Sequence, residues 1–323
     1  MRQILFYIPG LHIPIYSYGL MLVIGFLLAL ELAKFLARRV GLDQETFVNA
    51  GLIALVTGVV GARLSHVIEN WPQYTDPART FFANFFDAVN IRSGGLTYYG
   101  GFLLATPACI AYGIYKRVPV RLGMDIIAPC LMIGLGIGRI GCFLNGCCYG
   151  AQCSATFPGG VTYPYGSNAY IDQYYTGEIN PPEELTAANI IPGARPRLLD
   201  LKEINADPVL KALAAQQRSL PVHNAQIYST LTALLIAAVC VAFFTLRPPP
   251  GRVMALMLML EGVSRFLLEI IRSEPPVTTL FGHGWSLSML IGAALAVAGV
   301  ILWFVFRERK DFPVTLPIEL SAA

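Results

Sequence analysis

The sequence predicts an all-α, polytopic membrane protein with seven transmembrane helices, and three observations support that class. Of the 323 residues, 55% are hydrophobic and only 13% are charged, against about 25% charged in soluble domains. The mean hydropathy is +0.58. Seven runs approach the roughly 20 mostly apolar residues that a helix needs to cross a bilayer: 14–36, 48–70, 96–115, 123–142, 224–246, 252–270 and 285–306. The third observation is where the cations fall.

Lys34, Arg38 and Arg39 close the first span, and Lys116, Arg117 and Arg121 follow the third. Arg247 and Arg252 flank the turn after the fifth, and Arg307, Arg309 and Lys310 follow the seventh. All four sets fall on one side, which the positive-inside rule makes cytoplasmic. The N-terminus is then periplasmic and the C-terminus cytoplasmic. Arg2 is the lone early cation and no small-residue cleavage site follows the first apolar run, so the start does not read as a removable signal peptide.

Two extracytoplasmic connections carry most of the remaining mass. Residues 71–95 are aromatic through Phe81, Phe82, Phe85 and Phe86, the composition of a helix lying flat at the interface. Residues 151–222 are too long for a plain connection and read as a periplasmic head insert. Within them Asp207-Pro208 reads as an N-cap and first helical position, leading a short helix to about Arg218. With no internal repeat of 20–50 residues, 1–323 is one membrane-embedded domain bearing the 151–222 insert. No basic run points to nucleic acid. Seven cysteines are too few, and too embedded, for a disulfide scaffold.

The chemistry should sit where charge enters the apolar runs. Arg63, Arg139 and Arg265 each lie inside such a run. A cation in hydrocarbon costs roughly 2.5–3.5 kcal/mol on insertion scales, so it is paired, faces a polar cavity or snorkels. On the deduced topology all three lie in outward-going halves of their helices and can converge on one cavity. Glu261 and Glu269 lie four residues either side of Arg265, on its helical face. Internal salt bridging accounts for Arg63 as well as a ligand does. For Arg139 and Arg265 an anionic head group is the better reading, because a guanidinium matches phosphate bidentately and keeps its charge when dry. Polar groups open other spans at similar depth: Ser17-Tyr18-Gly19, Gly94-Gly95-Leu96-Thr97-Tyr98-Tyr99-Gly100-Gly101 and His223-Asn224-Ala225-Gln226-Ile227-Tyr228. His66 and His223 read as structural before proton-carrying. Cys142, Cys147, Cys148 and Cys153 read first as packing, then as a Cys148–Cys153 disulfide, and last as a zinc site, since the spacing is not a pair of C-x2-C motifs.

Asp125-x-x-Ala128-Pro129 followed by Gly138-Arg139-Ile140-Gly141-x-Phe143-x-Asn145-Gly146-x-x-Tyr149-Gly150 resembles the signature of bacterial prolipoprotein diacylglyceryl transferases. Ser17-Tyr18-Gly19-Leu20-Met21, Gly61-Ala62-Arg63-Leu64, Gln226-Ile227-Tyr228 and Arg265-x6-Arg272 follow in the family's order. The resemblance covers both membrane halves and excludes the insert. It implies seven spans, a site opening sideways to the bilayer of the bacterial inner membrane, and no cofactor or metal. It also implies transfer of the sn-1,2-diacylglyceryl group of phosphatidylglycerol to the lipobox cysteine of a prolipoprotein signal peptide, with glycerol 1-phosphate leaving. By the same resemblance Arg139 binds the lipid phosphate and Arg265 is the second essential arginine. Tyr18, Asn145 and Gly150 line the site, and Arg63 and Glu261 complete the candidate binding set. Tyr99-Gly100-Gly101 stands where many relatives have His-Gly-Gly, which makes Tyr99 the candidate catalytic group there. A phenol with pKa about 10 suits hydrogen bonding to a head group better than proton abstraction. Cys142 and Cys147 stand where relatives often carry Asn and Glu.

Two rival classes predict other features. A transporter for an anionic solute would want repeats and helices broken at the midplane. A membrane thiol oxidoreductase would want a C-x-x-C pair, which Cys147-Cys148 does not supply.

Overall fold

The structure, a computed structural model, describes residues 4–7, 14–75, 80–90, 95, 97–189, 195–272, 277–280 and 283–307. Among them are seven long helices: α1 (Ser17–Arg39), α2 (Gln44–Glu69), α4 (Tyr98–Tyr115), α5 (Val120–Asn145), α9 (Ala225–Thr245), α10 (Arg252–Arg272) and α11 (Leu287–Val305). Each of the seven expected apolar runs falls on one of them. Five of them (α1, α2, α5, α9 and α11) are long and apolar enough to cross a membrane by length and composition. In α10 the apolar run is interrupted by Glu261, Arg265 and Glu269. Arg309, Lys310, Gly94 and Leu96 lie outside the described residues.

Local chemistry sets the helix ends. Asp43 caps α2, its carboxylate accepting from the backbone N–H of Glu45 and Thr46, both at 3.1 Å. Asn224 caps α9 through Ile227 N–H at 3.3 Å, and Ser286 caps α11 through Met289 N–H at 3.2 Å. The first span was expected from residue 14, but Pro14–Tyr16 forms strand β2 and pairs with β1 (Ile4–Tyr7), so α1 begins at Ser17. The cap of α10 comes from another helix. The Asp125 carboxylate of α5, 2% exposed, accepts from Gly251 N–H at 2.6 Å and Met254 N–H at 2.9 Å. A buried anion on the positive end of a helix is stabilised where it would otherwise be costly.

The bundle packs α1 on α2 and α5, α2 on α4, α5 on α9 and α10, and α10 on α9 and α11. Two pairs approach backbone to backbone: a Cβ at Gly61 or Gly262 would collide with the main chain of α4 or α11. The apolar core occupies one end of the bundle. It joins the end of α1 (Leu36, Ala37), the start of α5 (Ile126, Ala128), the end of α9 (Ile236, Ala237, Cys240) and the start of α10 (Val253, Met257). Outward faces stay apolar too: Leu22, Val23, Leu27 and Leu28 on α1 and Leu52, Leu55, Val56 and Val60 on α2 are all exposed. That is the surface of a chain solvated by lipid.

Residues 71–95 contain a short 3-10 turn (Trp71–Tyr74) and α3 (Phe81–Val89), capped by Thr80, with Phe81, Phe82, Phe85 and Phe86 between 54% and 77% exposed. Between α5 and α9 lie α6 (Asn168–Thr176), α7 (Leu201–Ala206) and α8 (Pro208–Gln216), with two-residue strand pairs β3/β6 (Gly160–Val161 with Val222–His223) and β4/β5 (Thr186–Ala187 with Arg197–Leu198). Asp207 caps α8, accepting from Val209 N–H at 2.8 Å, as its sequence predicts. This segment has its own core of Tyr165, Tyr170, Leu185, Ile204 and Ala214. Burial holds the Tyr165 phenol up at about 12, so it remains a hydroxyl donating to Leu185 O and Leu199 O. A last hairpin, β7/β8 (Thr278–Leu280 with His283–Trp285), precedes α11.

Candidate functional site

Opposite the apolar core, the other ends of α5, α9 and α10, with the start of α11, line an open cleft. Arg139 and Cys148 reach it from α5 and the turn after it, and Ala225 and Ser229 from the start of α9. Glu261, Arg265, Leu268, Glu269 and Arg272 reach it along α10, and Ser288 from α11. Arg265 and Glu261 are one turn apart, and the charges of Arg265 and Arg139 both act on the Glu261 carboxylate. Glu269 does not pair with Arg265. Its carboxylate, 2% exposed, accepts from Ser286 Oγ at 3.0 Å and lies 3.9 Å from Arg272. Among the described residues neither Arg139 nor Arg265 makes a hydrogen bond or an ion pair within 4.0 Å, and Arg265 Nε is buried with no acceptor.

The rim of the cleft is tied together by main-chain bonds. Gly146 ends α5 in the left-handed conformation (φ 75°). The chain then runs beside the end of the insert: Gly150 N–H donates to His223 O at 2.8 Å, His223 N–H to Ala151 O at 2.9 Å, and Cys153 N–H to Pro221 O at 2.9 Å. A side chain at Gly150 would collide with His223, which is why glycine stands there. Ala151 N–H donates to Ile271 O at 2.9 Å, fastening the same strand to the end of α10. Gln226, fully buried, donates from Nε2 to Cys147 O and Tyr163 Oη, both at 2.9 Å. Thr230 Oγ1 donates to Gly136 O at 3.2 Å, one turn below Arg139.

Of the sequence candidates, the fold brings Arg139, Arg265 and Glu261 into one cleft. Tyr18 of α1 packs against Gly141, two residues after Arg139 on α5, close enough for Arg139 to act on it electrostatically. Asn145 is the last residue of α5, close enough to act on the Cys147 thiol. Gly150 belongs to the rim. Arg63 and Tyr99 are not among the residues lining the cleft. Arg63, 6% exposed, donates from Nε to Ala88 O (2.7 Å), from Nη1 to Gly95 O (3.0 Å) and from Nη2 to Asp87 O (2.7 Å), and it stacks on Tyr74. Main-chain carbonyls are therefore among its partners. Tyr99 lies in the first turn of α4, 48% exposed. His223 packs edge-on against Phe157 with ring centroids 4.7 Å apart, a structural place.

Sequence reasoning passed over Arg272, Ser229, Ser288 and Cys148 as cleft residues and gave Gln226 and Asp125 no role. Arg272 carried a signal, sitting seven residues and about two turns after Arg265 on one helix face. All seven cysteines are free, and Cys148 sits beside Cys142 and Cys147 rather than Cys153.

Five helices apolar enough to cross a membrane, with a polar cleft at one end of the bundle, define a multi-pass membrane protein. The family model of prolipoprotein diacylglyceryl transferases matches residues 3–305, and the chain belongs to that family of transferases. It is 23% identical over 313 residues to a phosphatidylglycerol–prolipoprotein diacylglyceryl transferase of Clostridium tetani, covering 96% of this chain and all of that protein. A similarly named protein of Corynebacterium glutamicum is 25% identical over 303 residues, 93% of this chain and 82% of its own length. One of Rhodopirellula baltica is 32% identical over 168 residues, 52% of this chain, which spans about a third of that longer protein (33%).

Proposed function

We propose that the protein transfers the sn-1,2-diacylglyceryl group of phosphatidylglycerol to the lipobox cysteine of prolipoproteins and releases glycerol 1-phosphate. In this reading all seven long helices cross the bacterial inner membrane. The N-terminus is periplasmic, the C-terminus cytoplasmic, and 151–222 forms a periplasmic head over the cleft. One observation carries the proposal: Arg139 and Arg265 face one cleft with no anionic partner of their own within bonding distance among the described residues. Two half-buried guanidinium groups without acceptors among the described residues are costly in a bilayer unless a ligand supplies them, and a lipid phosphodiester does so bidentately.

The chemistry follows from that placement. A thiolate attacks the sp3 glyceryl carbon, a C–S bond forms, the C–O bond to phosphorus breaks, and the electron pair leaves on the phosphate oxygen. Negative charge grows on that oxygen in the transition state, and arginines fixed beforehand by α5 and α10 stabilise it without reorganising. Glu261 orients Arg265 from one turn away, and Glu269, held by Ser286, does the same for Arg272. Tyr18 and Asn145 contact the head group from the rim, which Gly150 and Gln226 hold in place. Tyr99 contacts the incoming peptide or the head group from the α4 side. Arg63 keeps α2, α3 and the start of α4 together and touches no substrate.

The test uses purified protein, phosphatidylglycerol and a lipobox peptide, with lipidated peptide and released glycerol phosphate measured together. Arg139→Ala should abolish both products. Turnover retained in that variant refutes the role given to Arg139.

A further inference from the structure

Three thiols gather at the edge of the cleft, and nothing above gives them a task. Cys142 lies in the last turn of α5, and Cys147 and Cys148 follow the left-handed Gly146. The N–H groups of Gly146 and Cys147 both bond back to Cys142 O, at 2.9 and 3.1 Å. That curl brings residues five and six positions apart together, and the three Sγ atoms all lie within 4.8 Å of one another. Cys148 is itself left-handed at φ 59°, a conformation that costs a non-glycine residue about 1–2 kcal/mol. It also lines the cleft beside Arg139 and Arg272, and both cations act on its sulfur. Packing alone accounts for a buried Cys142, but not for a strained Cys148 that lines the cleft with two other sulfurs within 4.8 Å of its own.

A thiophilic d10 cation holds thiolates at about 2.3 Å, and tetrahedral angles then put the sulfurs about 3.8 Å apart. Three thiolates and a divalent cation carry a net charge of −1, which Arg139 and Arg272 offset. Among the described residues no fourth histidine, cysteine or carboxylate joins the cluster. Three protein ligands with an open position are the pattern of a catalytic zinc rather than a structural one.

We propose that Cys142, Cys147 and Cys148 form a three-thiolate zinc site at the edge of the cleft whose open position takes the thiolate of the acceptor cysteine. The second half of this rests on the transferase reading. Zinc-bound hydroxide takes the thiol proton and departs as water, and the substrate sulfur binds in its place as thiolate. Its lone pair then forms the C–S bond to the glyceryl carbon. The C–O bond breaks, its electrons go to the phosphate held by Arg139, and a returning water gives one proton to that phosphate and leaves hydroxide on the metal. A free thiol of pKa about 8.5 is only a few per cent ionised at neutral pH, whereas a metal-bound one is deprotonated outright.

The experiment uses the reduced, full-length protein in phosphatidylglycerol-free nanodiscs. Cadmium titration, followed by thiolate-to-metal charge-transfer absorbance, should saturate at one equivalent. Cys142→Ser and Cys148→Ser should each lose that binding while unfolding at the wild-type temperature, and Cys153→Ser should keep it. In the cobalt-loaded protein, a lipobox peptide with cysteine should shift the ligand-field bands, and its serine counterpart should not. Absence of stoichiometric metal, or metal retained in both serine variants, overturns the site. Bands indifferent to the cysteine peptide overturn the open-position role. Metal binding that persists in a protein unable to use phosphatidylglycerol defeats the transferase reading and leaves the metal site standing.

Discussion

Arg63 and Arg139 look alike in the sequence, each an arginine after small residues in an apolar run, yet the fold treats them oppositely. Around Arg63 the chain supplies the acceptors: three main-chain carbonyls at 2.7–3.0 Å and the face of Tyr74. Around Arg139 and Arg265 it supplies none within bonding distance among the described residues. The comparison teaches that charge in hydrocarbon marks a binding site only where the protein leaves the charge unsatisfied.

The largest expected effect that sharpens this contrast is at Arg139. Arg139→Ala should lower turnover by about 10³-fold or more, the cost of removing a donor aimed at developing charge, read as glycerol phosphate released per folded enzyme. Arg265→Lys keeps the charge and loses the bidentate fork, so turnover should fall by about 10–10²-fold and remain above that of Arg265→Ala. Arg63→Met should do the reverse. It leaves carbonyls unsatisfied at roughly 1–3 kcal/mol each, so the unfolding temperature in detergent should drop while lipid affinity of the folded fraction holds. A fall in affinity with unchanged stability would break the comparison.

Helix positions were legible because lipid forces every spanning element into one apolar helical form. The N-cap of α8 was legible too, since Asp207-Pro208 carries its own local signal. The partners of the arginines were not legible, because they depend on which helix ends meet. Glu269 sits four residues from Arg265, yet Ser286 and Arg272 hold it. Asp125 is the plainest case, a signature residue whose task is to cap a helix more than a hundred residues later. Asp125→Ala should cost about 1–2 kcal/mol of stability through that lost cap, seen as earlier unfolding of α10 by hydrogen exchange. The four short strand pairs escaped notice because two or three residues in a ladder leave no period to read.

The smallest effect lies in the insert, where Arg197 and Glu203 pair on the surface at 2.7 Å. The guanidinium holds the Glu203 carboxyl down at about 2 from its ordinary 4.5. A depressed carboxyl stabilises the fold above its unfolded pKa, and that contribution fades as pH falls from about 4.5 toward 2. Glu203→Gln should therefore speed amide exchange in residues 197–206 slightly at neutral pH, less in high salt, and not at all near pH 2.

The most direct measurement is a double-mutant cycle of phosphatidylglycerol affinity across wild type, Arg139→Ala, Arg265→Ala and the pair, in nanodiscs of a zwitterionic lipid. If both guanidinium groups hold one phosphate, the losses are non-additive, with a coupling of about 1 kcal/mol or more. Losses that simply add, or an affinity that none of the variants changes, would contradict it.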